Sequence, residues 1–283
     1  MARILLIETS TALLSTAIAE DGKVVCCLES DELRSQASMT AVFIDRMLKE
    51  QGLRVKDFDA VAVSKGPGSY TGLRVGVSTA KGLCFGAGIP LIGIGTLDIL
   101  AAQGREAGEG AGPETCGHPR PDHPKKQEFF GDPGTLPVEG PADGVGGRGR
   151  EATVDGPAPS EAVIAGEGCR YVVPMIDARR MEVYAAVFSP DGRQLTPTEA
   201  MVIGPESFAK ELSEGPVLFI GDGAEKCRET LPGGAFIQCY PKASAMAPLA
   251  EAAWREGRFE DLAYFEPFYL KDFVATVSRK KLF

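Results

Sequence analysis

The sequence predicts an α/β protein of two related lobes separated by a long irregular segment, and three observations predict it. A run of three strands followed by alternating helices and strands occurs twice, from Ala2 and again from Tyr171. A glycine-dense turn, Gly66-Pro67-Gly68-Ser69-Tyr70-Thr71-Gly72-Leu73-Arg74-Val75-Gly76, joins a strand-like run to a helix-like run. Between the two halves, residues 104–168 hold about 15 Gly and 9 Pro, the composition of a segment that buries too little apolar surface to order itself. The expected divisions are a first lobe over 1–103, a disordered insertion over 104–168, a second lobe over 169–270 and a basic tail over 271–283.

Each element has its own signal. Ala2 to Glu8, Leu13 to Ala19 and Lys23 to Leu28 read as strands, with Glu20-Asp21-Gly22 as the hairpin turn between the last two. From Gln36 to Gln51, Met39, Val42, Phe43 and Met47 recur at helical spacing, and Gly52 stands where a C-terminal cap belongs. Asp59 to Ser64 is a short buried strand. After the glycine turn, Leu73, Val77, Ala80 and Cys84 mark one face of a second helix ending near Gly86 and Gly88. Pro90 to Ile94 gives a strand, and Thr96 caps a short helix to Gln103.

The second half repeats the order. Val172 to Asp177, Glu182 to Phe188 and Gln194 to Ile203 read as strands, with Ser189-Pro190-Asp191-Gly192 as a turn. Pro205 to Glu214 reads as a helix, Val217 to Ile220 as a strand, Ala224 to Leu231 as a helix and Ala243 to Glu256 as the final helix.

With 283 residues and 44% hydrophobic content the chain has enough apolar material for two cores. Its formal net charge of −9 excludes a broad nucleic-acid-binding surface made by this chain alone. Seven cysteines, none in a Cys-x-x-Cys pair, suggest reduced, buried thiols. The opening Arg3-Ile4-Leu5-Leu6-Ile7 is too short for a signal sequence and no run reaches membrane-spanning length, so a soluble cytoplasmic protein is expected.

The glycine turn supports two chemistries. A helix start behind a Gly-rich loop can cradle a phosphate, with Ser69 or Thr71 as N-cap, but the stretch lacks the Gly-Lys-Ser/Thr ending of a P-loop and the dinucleotide spacing. The other reading is a structural turn that seats the following helix. Cys116, His118 and His123 offer metal-ligand types in the insertion, without a zinc spacing or an evident fourth ligand, and read as loop residues. Glu8, Asp177, Asp222 and Glu225 are candidate carboxylates for a metal or general base, against strand-end acids that cap turns. Asp177-Ala178-Arg179-Arg180 is either an anion site or a local ion-paired turn, the second being the default. Ser69 as a peptidase nucleophile would need a base, and with no histidine outside the insertion only the flanking Lys65 offers one.

Two lobes, each a three-stranded meander followed by αβ units, follow the order of the actin-like ATPase (ASKHA, duplicated RNase H-like) fold. Within it, the glycine stretch resembles the signature of the TsaB (YeaZ) family of tRNA threonylcarbamoyladenosine biosynthesis proteins. Ile7-Glu8-Thr9-Ser10, Gly95-Thr96-Leu97, Ile176 to Tyr184 and Pro267-Phe268-Tyr269-Leu270-Lys271 match in order, so the resemblance covers all but the insertion. It implies a non-catalytic scaffold and activator of TsaD, the subunit that modifies the adenosine beside the anticodon, in a heterodimer that also meets TsaE. It places ATP and metal on those partners, with no cofactor intrinsic to this chain and tRNA met only through the complex. Glu8-Thr9-Ser10-Thr11 agrees, since it puts side chains where actin-like kinases need an Asp-x-Gly turn open to phosphate. Ser35-Gln36 stands where relatives often carry Asn-His.

The resemblance implies contact through the two first-lobe helices, packed with their counterparts as a bundle. The expected interface is Met39, Val42, Phe43, Arg46, Met47, Arg74, Gly76, Ala80, Lys81 and Phe85, some of which must instead face the sheet. The same face would serve a homodimer when the chain is alone. The rival from another class is an independent small-molecule kinase or ATPase of the same fold.

Overall fold

The computed structural model describes residues 2–32, 35–108 and 168–271. The first lobe runs β1 (Arg3–Glu8), β2 (Leu14–Glu20), β3 (Lys23–Ser30), α1 (Ser35–Gln51), β4 (Ala60–Gly66), α2 (Tyr70–Ala87), β5 (Leu91–Gly95) and α3 (Thr96–Gly108). The second runs β6 (Tyr171–Asp177), β7 (Glu182–Ala185), β8 (Glu199–Val202), α4 (Ala209–Glu214), β9 (Val217–Ile220), β10 (Ala235–Ile237) and α5 (Ala247–Arg255). Both belong to one compact unit.

The duplication is topological. The first sheet is ordered β3-β2-β1-β4-β5 and the second, read from its other edge, β8-β7-β6-β9-β10. In each, the first strand pairs antiparallel with the second and parallel with the fourth. Even the turn after that fourth strand is matched, with glycine at positive φ in both: Gly66 at +106° and Gly221 at +133°. The two-lobed, duplicated α/β fold expected from the sequence is therefore the one observed.

Alternation along β1 decides what covers each face of the first sheet. Leu5 and Ile7 join Ile44, Met47, Val77, Ala80 and Cys84 of α1 and α2 in one core. Ile4 and Leu6 point the other way, into a core with Met246, Ala247, Ala250 and Ala253 from α5 and the turn before it. The second sheet receives the reciprocal cover. Val172 and Ile176 of β6 pack on Leu97, Leu100 and Ala101 of α3, while Val173 and Met175 face Phe208, Ala224 and Cys227. Each lobe thus lends one helix to the other.

Several boundaries differ from the sequence reading. The third helix continues past Gln103 to Gly108, because Gly104 is a packing residue: a Cβ there would lie 3.1 Å from Val172 and 3.3 Å from Leu218. The helix expected over 224–231 is a single 3-10 turn, Glu225–Cys227, the one expected over 205–214 is confined to Ala209–Glu214, and the third strand shrinks to Glu199–Val202. The edge strand β10, flanked by Gly233-Gly234 and only three residues long, had no periodic signal. Cys84 and Cys227 are buried free thiols as expected, whereas Cys27 is in a disulfide. Beyond Gly108, the expected insertion, with Cys116, His118 and His123, lies outside the described residues, as does the tail after Lys271. No helix among the described residues is long and apolar enough to cross a membrane.

Candidate functional site

The glycine turn, the Thr9–Ala12 connection after β1 and the 265–269 segment converge at the amino end of α2. Ser69 caps that helix, its Oγ accepting from the Gly72 N–H at 3.3 Å, so its hydroxyl is engaged as a cap rather than with a base. From the turn into α2, Gly68, Gly72 and Gly76 form a rail at four-residue spacing, and the β1–β2 connection lies directly on it. A Cβ on Gly68 would stand 2.3 Å from Ser10 O, on Gly72 2.0 Å from Thr9 O and on Gly76 2.2 Å from Thr9 Oγ1. Two hydrogen bonds fasten the contact: the Ser69 N–H donates to Ser10 O at 2.6 Å, and Thr9 Oγ1 donates to Gly72 O at 2.8 Å. The face of the turn and helix that these glycines leave bare is covered by the chain's own Thr9 and Ser10.

The same connection holds α1. Gln36 Nε2 donates to Thr11 O and Ala12 O, both at 2.9 Å. On its other side the turn receives the C-terminal segment: the Phe268 N–H donates to Lys65 O at 2.6 Å, and the Tyr70 and Tyr269 rings lie 4.8 Å apart. A Cβ on Gly66 would meet Phe268 O at 2.6 Å. Stretches about 60 and 190 residues apart thus form one seat for both helices.

Beneath it, Glu8 is fully buried. Its Oε1 accepts from the Ser10 N–H at 2.6 Å and the Ser64 hydroxyl at 3.0 Å, while Oε2 meets no donor among the described residues. Burial pushes its carboxyl up to about 7 against the lowering effect of those hydrogen bonds. An acid whose folded pKa is raised adds stability that is fully present below its ordinary value near 4.5 and is lost as pH rises through 7. Urea denaturation across this range should show wild type losing on the order of 3 kcal/mol relative to Glu8→Gln, which keeps an acceptor but no charge. Parallel pH profiles for the two proteins would show that Glu8 does not titrate there.

The other carboxylates separate. The Asp177 N–H donates to Asp222 Oδ1 at 2.9 Å, and burial, then the Asp177 charge, raises Asp222 to about 6. Glu225 faces Arg228 at 2.7 Å, which holds its carboxyl low. The Asp177–Arg180 turn is not ion-paired through its arginines as the default had it: Asp177 pairs with Lys226, a residue the sequence reading passed over.

The expected interface residues divide by burial. Val42 is 50% and Phe85 84% exposed, and Met39 and Phe43 are half-buried. Met47 and Ala80 are in the sheet-facing core and Gly76 is under Thr9, so these three offer no surface to a partner. Arg46 pairs with Glu50 one turn along. Arg74 donates to the Tyr70 hydroxyl at 2.9 Å, and Lys81 Nζ donates to Phe265 O at 3.1 Å, so both cations have partners within the chain. Phe268 and Tyr269 were noticed only as matching letters, since nothing local in the sequence says where an irregular C-terminal stretch will lie.

The family model for TsaD, tRNA N6-adenosine threonylcarbamoyltransferase, matches residues 34–117. The tRNA threonylcarbamoyladenosine biosynthesis protein TsaB of Escherichia coli K12 is 38% identical over 109 residues, 38% of this chain and 46% of that protein. The Bacillus subtilis 168 protein of the same name is 32% identical over 102 residues, 36% of this chain and 44% of that protein. The matched stretch therefore spans less than half the length of these relatives. A tRNA N6-adenosine threonylcarbamoyltransferase of Cereibacter sphaeroides KD131 is 42% identical over 64 residues, 23% of this chain and 18% of that protein. In structure, YeaZ from Pseudomonas aeruginosa superposes with a TM-score of 0.68 at 20% identity, covering 95% of this chain and 100% of that one, a likeness of fold. The resemblance to the TsaB (YeaZ) family read from the motifs is borne out.

Proposed function

We propose that this chain, similar to TsaB proteins over about a third of its length and YeaZ-like in fold, is a non-catalytic scaffold and activator of a TsaD-type subunit in tRNA threonylcarbamoyladenosine modification. The observation that carries the proposal is the filled glycine rail: Ser10 O, Thr9 O and the Thr9 hydroxyl lie against Gly68, Gly72 and Gly76, on the face that a phosphate-binding turn would need open. Negative oxygens repel a phosphate, and the backbone cannot rotate away as a side chain could. The loop that would hold nucleotide instead ties down α1 and α2. In this reading ATP, metal and the transfer step belong to the TsaD- and TsaE-type subunits, and tRNA is met within the assembly.

The seated helices present Val42 and Phe85 to the outside. Beside Phe85, Gly82 and Gly86 line a cleft of about 300 Å³ with Val55 and Lys56, room for a side chain from a partner's helix. Alone, the chain would bury the same face against a second copy. Val42→Asp and Phe85→Asp should each weaken co-purification with the TsaD-type subunit at least about tenfold, since an unpaired charge would be buried on docking. Their thermal unfolding should stay close to wild type, because exposed positions typically move stability by about ±0.5 kcal/mol. If both variants co-purify undiminished, the helix face is not the interface.

A second reading rests on Asp177 and Asp222, acids at the end of β6 and just past β9 linked by the Asp177 main-chain N–H donating to Asp222 Oδ1, since a metal-assisted kinase or ATPase needs acids at such strand ends. Calorimetry of the isolated chain with Mg-ATP separates the two. Micromolar binding with turnover would replace the scaffold by an independent enzyme.

A further inference from the structure

The β6–β7 hairpin holds two adjacent arginines in a backbone conformation that arginine rarely adopts. φ is +72° at Arg179 and +53° at Arg180, a region that crowds the Cβ of an L-residue against the following carbonyl. The surrounding structure imposes it. The Arg179 N–H donates to Asp177 Oδ1 at 2.9 Å, and Lys226 Nζ donates to the Arg180 and Glu182 carbonyls at 2.8 and 2.7 Å. Strained backbone of this kind clusters at functional positions, so two adjacent outliers motivate asking what their side chains do.

Both side chains are exposed, and neither guanidinium has an ion pair or hydrogen bond among the described residues. Acids are close in sequence, but each is already matched: Asp177 with Lys226 and Glu182 with Lys271. Elsewhere arginines such as Arg3, Arg46, Arg228 and Arg255 each face a carboxylate. The hairpin therefore projects two uncompensated positive charges from a chain of net charge −9.

The geometry points to this hairpin as an RNA-phosphate contact, in which Arg179 and Arg180 each take a backbone phosphate of the tRNA that the assembly modifies. It rests on the tRNA-modification reading above. A chain this acidic has no general attraction for a polyanion, so any contact it makes must be local and made by cations free of internal partners. Guanidinium suits the task because its planar fork binds phosphate oxygens in pairs, and such contacts fix register rather than read sequence.

The test uses the double variant Arg179→Asn/Arg180→Gly. Asparagine and glycine occupy positive φ more readily than arginine, so the turn is kept and thermal stability should hold or rise. Anisotropy of a labelled tRNA transcript, titrated with the full chain together with the TsaD-type subunit over a salt series, should show affinity falling about tenfold or more. The slope of log affinity against log salt should be shallower by about 1 to 2. The Arg179→Lys/Arg180→Lys protein should recover the salt slope, and both variants should co-purify with the subunit as wild type does. Unchanged affinity and slope in the Asn/Gly variant overturn the phosphate contact while leaving the scaffold reading standing. Loss of co-purification in wild type itself would overturn that reading and this contact with it.

Discussion

Gly72→Ala should destabilise the protein by about 3 kcal/mol or more, enough to lower its melting temperature by roughly 6–12 °C. The added methyl would stand 2.0 Å from Thr9 O, a main-chain atom fixed between β1 and the helix it seats. No rotamer change relieves such a contact, so α2 must move off the sheet and take Leu73, Val77 and Cys84 part-way out of the core. Gly82→Ala on the same helix supplies the control, because nothing lies within 4 Å of that position and it is exposed. There alanine should stabilise by about 0.5–1 kcal/mol through helix propensity. Thermal or urea unfolding of the two variants gives changes of opposite sign; a mild or stabilising effect at Gly72 would mean that the rail is looser than the packing shows.

That pair also explains what the sequence could and could not say. Strand alternation and helical spacing place the strands of the first lobe and its α1 within a residue or two, because the Leu5–Ile7 face buries its apolar set against α1 and α2, which are close in the chain. The end of α3 and the cover of the Ile4–Leu6 face depend on residues far away and are not legible locally. Glycine density signalled the turn at Gly66, but it could not distinguish a rail awaiting phosphate from one already occupied. That distinction depends on Thr9 and Ser10, some 60 residues away. The hint was there in Glu8-Thr9-Ser10-Thr11, where side chains replace the glycine a phosphate loop requires. Interface residues were less legible: helical periodicity shows that Met47 and Val42 differ in facing, but not which of the two faces the sheet. The second lobe was harder still. Its short helices and the strand Ala235–Ile237 are held by Phe208, Phe219 and Phe236 packing across elements rather than by local propensity.

The exchange of helices between lobes carries the other large effect. A fragment of residues 1–108 contains every strand of the first sheet and both helices of its α1–α2 face, and by element count looks like a complete domain. It should nevertheless fail to fold. The face bearing Ile4, Leu6 and Ile92 is covered by Met246, Ala247, Ala250 and Ala253 from the far end of the chain, and the Ala243 N–H donates to Ser15 Oγ at 2.9 Å to close that side. Exposing three or four large aliphatic side chains at about 1.5–3 kcal/mol each costs roughly 5–12 kcal/mol, comparable to the whole stability of an ordinary domain. Leu97 and Leu100 of α3 would be bared as well, since their cover is the second sheet. The fragment should bind hydrophobic dye and melt without a cooperative transition, and co-expression with residues 168–283 should restore one. Cooperative unfolding of the fragment alone, at the temperature of the full chain, would show the lobes to be independent. The cover that α3 gives the second sheet and α5 the first would then be dispensable to each lobe, and the exchange of helices would add stability without being required for folding.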